Sequence, residues 1–80
     1  MNQRAAFDET VTLAKNLGMP ELPGSSLGLE HLRDMQTRIT DDFSEAKLGR
    51  WLGWAQAALV AANVGASLEA VKQINLSHSD

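Results

Sequence analysis

The segment from Leu48 to Val64 constrains this chain more than any other. Wound as a helix at about 100° per residue, it places Trp51, Leu52, Trp54, Ala55, Ala58, Leu59 and Ala62 on one broad side, which reads as the core face. The opposite side would be polar in an ordinary surface helix. Here it carries Gly49, Gly53, Ala57, Val60, Ala61 and Val64, with Gln56 and Asn63 as a narrow polar strip. A helix apolar nearly all round is either central to its fold or covered by a partner. It is not expected to cross a membrane, because Arg50, Gln56 and Asn63 interrupt it and it falls short of the roughly 20 apolar residues a bilayer requires.

The flanking residues give this helix ends and neighbours. Ser44 is its expected N-cap, with Phe43 and Leu48 placed to form a hydrophobic staple and Glu45 facing the positive helix end. Its expected end is Asn63 or Val64, with Gly65 in the left-handed position. Upstream, a first helix over about residues 3–17 sets Phe7, Val11, Ala14 and Leu17 at helical spacing and stops at Gly18. Two prolines and two glycines make 19–28 a loop, which Leu22 and Leu27 are expected to pin to the core. A second helix near 28–40 turns Leu29, Leu32, Met35 and Ile39 inward. Downstream, Ser67 caps a short helix carrying Leu68, Val71 and Ile74, and the tail from Ser77 to Asp80 is expected to fray. No segment alternates like a strand. The predicted fold is all-α: one domain over 1–80, a small bundle of three main helices plus a short C-terminal helix.

A chain of 80 residues with no cysteine has a thin core and neither disulfides nor thiolate metal clusters to supplement it. Self-association is therefore expected, most simply as a homodimer. Gly49, Gly53, Ala57 and Ala61 recur every four residues, a line of small side chains open to another backbone. Two glycines inside a helix, each costing nearly 1 kcal/mol against alanine, call for a packing reason. That reason is either a groove for another helix of the same chain or a dimer seam, with Gly49, Gly53, Ala57 and Val60 as the candidate interface.

Net charge is −3, and the seven basic residues are scattered rather than gathered into a stripe. Phosphate-driven binding wants such a stripe, so nucleic acid is not the expected partner. The N-terminus lacks the apolar run of a secretory signal, which makes the cytoplasm the expected compartment. Trp51 lies nearer the middle of the core face. Trp54 is the tryptophan expected to reach the surface, where Arg50, four residues earlier, can stack on its ring. Lys47, Arg50, Trp54 and Gln56 are accordingly the candidate partner-binding residues, a Trp–Arg patch having the composition of a binding hot spot.

Catalytic and metal chemistry find little to work with. His31 has Glu30 and Asp34 beside it, but no second cluster completes a metal site, and His78 falls in the expected frayed tail. Asp41, Asp42 and Glu45 at the start of the third helix are explained by the helix dipole and capping. Ser25 and Ser26 lack a nucleophile elbow, and Gly24-Ser-Ser-Leu-Gly28 lacks the lysine of a phosphate loop. No enzyme activity, metal or cofactor is expected.

The run from Phe43 to Ala62, with Lys47, Arg50-Trp51-Leu52-Gly53-Trp54, Gln56 and Leu59-Val60-Ala61 at its heart, followed by Gly65 to Asn75, resembles a group of small proteins encoded by tailed bacteriophages and prophages. The resemblance covers roughly the C-terminal half. It implies an infected bacterial cytoplasm as the setting and an accessory protein that occupies and modulates a host protein. Two other functions stay open: a small oligomeric scaffolding component, and a nucleic-acid-associated accessory factor.

Overall fold

Capping chemistry sets the four helices of the computed structural model, which describes residues 1–79. They are α1 (Gln3–Asn16), α2 (Leu29–Arg38), α3 (Glu45–Ala61) and α4 (Leu68–Ser77), and there is no strand among the described residues. Asn2, Ser44 and Ser67 each accept a hydrogen bond from the backbone N–H three residues on, satisfying a donor that the first turn of a helix leaves orphaned. At the other end of α1, Gly18 adopts φ 76°. Its N–H bonds to Lys15 O, and the Met19 N–H reaches back to Ala14 O. That pair of bonds is a Schellman closure, and it turns Met19 into the core, where it is buried.

α2 begins differently. Gly28, its N-cap, has no side chain to offer, and the orphan donors go to the loop instead: Leu29 N–H to Pro20 O at 2.9 Å and Glu30 N–H to Glu21 O at 3.3 Å. The loop is thus folded onto the helix start. Glu21 adds an ion pair with Arg33 at 2.6 Å. A Cβ at Gly28 would lie 2.2 Å from Glu21 O, so only glycine permits this approach.

Of the two places open to the apolar helix, the packing does not give it the centre. α1 is the element against which α2, α3 and α4 all pack, and those three meet one another only marginally. Its inward side chains are Ala6, Phe7, Thr10, Val11 and Ala14, all buried. Small residues beside one phenylalanine let three helices approach a single axis closely. The Thr10 hydroxyl, which such a position would otherwise strand, donates to Ala6 O at 2.8 Å. α3 supplies Leu52, Ala55, Ala58 and Leu59, α2 supplies Leu29, Leu32 and Met35, and α4 supplies Val71 and Ile74.

Several boundaries and placements also differ. α3 ends two to three residues early, so the left-handed position after its cap falls on Asn63, at φ 57°, which asparagine tolerates, while Gly65 keeps a positive φ of 105° further on. Leu17, Leu22, Leu27 and Leu68 are exposed rather than packed inward. α4 equals α2 in length at 10 residues. Nor is the C-terminus loose: the Asn2 N–H donates to His78 O at 2.8 Å, and His78 Nε2 lies 3.0 Å from Glu9 Oε1. Asp80, the last residue of the expected frayed tail, lies outside the described residues.

Candidate functional site

Because α2 and α3 both lean on α1 and barely touch each other, a cleft remains between them. It is a hollow of about 340 Å³ lined by His31, Met35 and Arg38 from α2 and by Arg50, Trp51 and Trp54 from α3. His31 also borders a second hollow of about 450 Å³, whose other walls are Gly24, Ser25, Ser26, Glu30 and Asp34. The surface therefore changes character across one histidine, apolar and basic on the α3 side, polar and acidic on the loop side.

Each tryptophan is held in a distinct way. Trp51 is half-buried and meets Phe43 edge-on, with centroids 4.9 Å apart and planes at 87°. Lys47 Nζ sits 4.1 Å from the Phe43 ring centre and 5.7 Å from that of Trp51. The cation-over-ring contact expected between Arg50 and Trp54 is thus made by Lys47 with these other two rings. Trp54 is 46% exposed. Its indole Nε1–H donates to Ser26 O at 3.0 Å, which ties the ring to the loop and fixes its orientation at the cleft edge.

Gln56, expected at a partner surface, is instead 8% exposed and belongs to the core. It forms a reciprocal amide pair with Asn75, Nε2 to Asn75 Oδ1 at 2.8 Å and Asn75 Nδ2 to Oε1 at 3.1 Å, and its Nε2 also approaches Thr10 Oγ1 at 3.3 Å. These bonds join α1, α3 and α4. The strip of small residues divides in the same way. Gly49 lies under Gln3, whose Oε1 would be 2.7 Å from an added Cβ, while Gln3 Nε2 donates to Glu45 O at 3.0 Å. Val60 packs partly against the core. Gly53, Ala57 and Ala61 are exposed, and nothing stands within 4 Å of a Cβ at Gly53. Ala61 borders an apolar groove of about 200 Å³ with Pro20, Leu22, Leu27, Ala58 and Ala62.

The polar hollow brings together Ser25, Ser26, His31 and Asp34, the residue types of a hydrolase, which the sequence keeps apart. They are not wired as one. The Ser25 hydroxyl accepts from the Leu27 N–H at 3.1 Å, the Asp34 carboxylate pairs with Arg38 at 3.1 Å, and no hydrogen bond joins His31 to either serine or to Asp34 among the described residues. A nucleophile needs a base in hydrogen-bond reach and a third group orienting that base, and neither link is made. No group of three or more potential metal ligands gathers among the described residues, and none of the helices formed by them is long and apolar enough to cross a membrane. At the start of α3, Asp42 accepts from the Thr40 hydroxyl and from its own backbone N–H, bonds that together with the charge of Lys47 hold its carboxyl below the usual value.

His31, Met35, Arg38 and Trp51 are cleft residues that sequence reasoning missed as binding residues, and of these His31 left a signal on the edge of its helix. Its signal is its position one residue before Leu32, at the margin of the core stripe of α2. No protein-family model, curated protein or solved structure matches the chain.

Proposed function

We propose that this chain is a non-enzymatic protein-binding module that acts by occupying a partner through the α2/α3 cleft. The observation that carries this reading is Trp54, a large ring left 46% exposed yet fixed by its bond to Ser26 O. Aromatic anchors held in place before binding lose little rotamer freedom on association, which is why tryptophan and arginine dominate interface energetics. The unlinked serine, histidine and aspartate of the polar hollow favour binding over catalysis. The resemblance of the Arg50-to-Trp54 run to small tailed-phage and prophage proteins supports an accessory role in an infected bacterial cell, with a host protein as the partner and the cytoplasm as the compartment.

The test is affinity capture from bacterial lysate with the intact chain, Trp54→Ala and Trp51→Ala as baits, alongside thermal melts of all three. Trp54→Ala should melt close to the parent and lose the captured partner. Trp51→Ala, which removes a half-buried ring packed on Phe43, should melt lower. Identical capture by the parent and Trp54→Ala would remove the cleft from the interaction.

A second reading, self-association through the outer face of α3, draws on Gly53, Ala57 and Ala61, which are exposed, and on exposed Leu22 and Leu27, which share a groove with Ala61. A homodimer would bury this face on both copies at once. Sedimentation as a monomer at high micromolar concentration would remove that reading, and a dimer dispersed by Gly53→Leu would support it.

A further inference from the structure

Resting on the protein-binding reading, we propose that the α2/α3 cleft selects a partner segment pairing an apolar side chain with a carboxylate. The apolar group enters over Met35, Trp51 and Trp54, and the carboxylate meets Arg50. The chain's own charges point this way. Arg4 pairs with Asp8, Arg33 with Glu21 and Arg38 with Asp34, while Lys47 lies over the Phe43 and Trp51 rings. Arg50, on the cleft wall, has no ion-pair partner among the described residues. Across the cleft stands Arg38, whose Nε lies 3.1 Å from Asp34 Oδ2. One uncommitted guanidinium, Arg50, and one shared with Asp34 therefore line the same cleft as Met35, Trp51 and Trp54 in a chain whose net charge is −3. A fork presents parallel N–H donors matched to a carboxylate, and the bond strengthens where the neighbouring surface is apolar.

The same geometry limits how much negative charge fits. Beyond His31 the surface carries Glu30 and Asp34, which repel a second anion along that direction. A nucleic acid brings a phosphate at every step and needs a continuous basic track. A peptide with one carboxylate next to an apolar residue meets Arg50 and keeps its charge away from the acidic end. Sign complementarity of this kind fixes register and excludes wrong partners more than it adds raw affinity.

The probe is a randomised peptide library displayed on ribosomes and selected on the immobilised intact chain. Enriched peptides are then synthesised and titrated by tryptophan fluorescence, and oligothymidylate is titrated in parallel. Enriched sequences should carry Asp or Glu within a helical turn of Leu, Ile or Phe. Arg50→Glu should weaken them about tenfold or more without moving the thermal melt, because Arg50 is exposed. Replacing the peptide carboxylate by lysine should restore binding to Arg50→Glu. Enriched peptides without an acidic residue, or affinities indifferent to Arg50→Glu, would overturn the carboxylate inference and leave the protein-binding reading standing. A library from which nothing enriches would overturn both. Oligothymidylate binding that Arg50→Glu abolishes, with no peptide bound, would replace them with a nucleic-acid site.

Discussion

The reciprocal amide pair between Gln56 and Asn75 offers a quantitative test of how this thin core is organised. Gln56→Met keeps the length of the side chain and removes both bonds to Asn75, which is half-buried and can regain water on one side. Thr10 still donates to Ala6 O in that variant. A net intramolecular hydrogen bond contributes about 0.5–1.5 kcal/mol, so the lost bonds, two to Asn75 and a long one to Thr10, cost about 2 kcal/mol with partial resolvation. Asn75→Leu should cost more, about 3 kcal/mol, because it leaves the Gln56 carbonyl oxygen unpaired at a site only 8% exposed and its Nε2 with only the 3.3 Å contact to Thr10. The double variant replaces both partners with apolar groups of similar shape and should return to within about 1 kcal/mol of the parent, a coupling of roughly 4 kcal/mol. Stability for a chain of this size is of order 4–12 kcal/mol, so both single variants should remain measurable in urea titrations. Single effects that simply add, or Asn75→Leu costing no more than Gln56→Met, would refute the account of the pair as a buried, mutually satisfied unit.

Gly28→Ala should lower stability by roughly 2 kcal/mol or more, since its Cβ would meet the Glu21 carbonyl at 2.2 Å and force the loop off the start of α2. A melt unchanged from the parent would show that the loop yields freely. Asp42 predicts an acid limb. Its folded carboxyl titrates below its unfolded value, so its stabilisation is complete above about pH 4 and is lost as pH falls through the folded value. Asp42→Asn should flatten the fall in melting temperature between pH 5 and pH 2, and an equally steep fall would assign acid unfolding to other carboxylates.

The all-α class, the N-caps at Ser44 and Ser67 and the stop at Gly18 were legible because each depends on a few adjacent residues. So was the surface position of Trp54, which followed from its angle on the helix. The roles of α1 and α3 were not legible, because hydrophobicity identifies what can be buried and not what sits at the centre. α3 is the more apolar helix, yet α1 holds the axis through Ala6, Thr10 and Ala14, whose small size matters more there than their transfer energy. Gln56 misled for a related reason. A polar residue in an apolar helix reads as a surface strip, and only its distant partner Asn75, 19 residues on, identifies it as interior. The cleft was half legible: Arg50 and Trp54 came from one helix, while His31, Met35 and Arg38 were brought to it by tertiary packing.

These misreadings share a cause that bears on function. By giving the centre to a narrow helix of small residues, the fold buries only one side of its most apolar helix and leaves Gly53, Trp54, Ala57 and Ala61 on the surface. A chain seeking only stability would put Lys or Glu at such positions, which favour helix and solubility alike. Those residues could also shield the apolar face. Instead the outer face of α3 is charged only at its start, by Glu45, Lys47 and Arg50, and Lys47 is folded back over the Phe43 and Trp51 rings. The uncovered length therefore has an apolar body and a single uncommitted cation beside a fixed indole. That pattern is the one the proposed protein-binding role would use, with its surface where the packing of α1 left α3 uncovered.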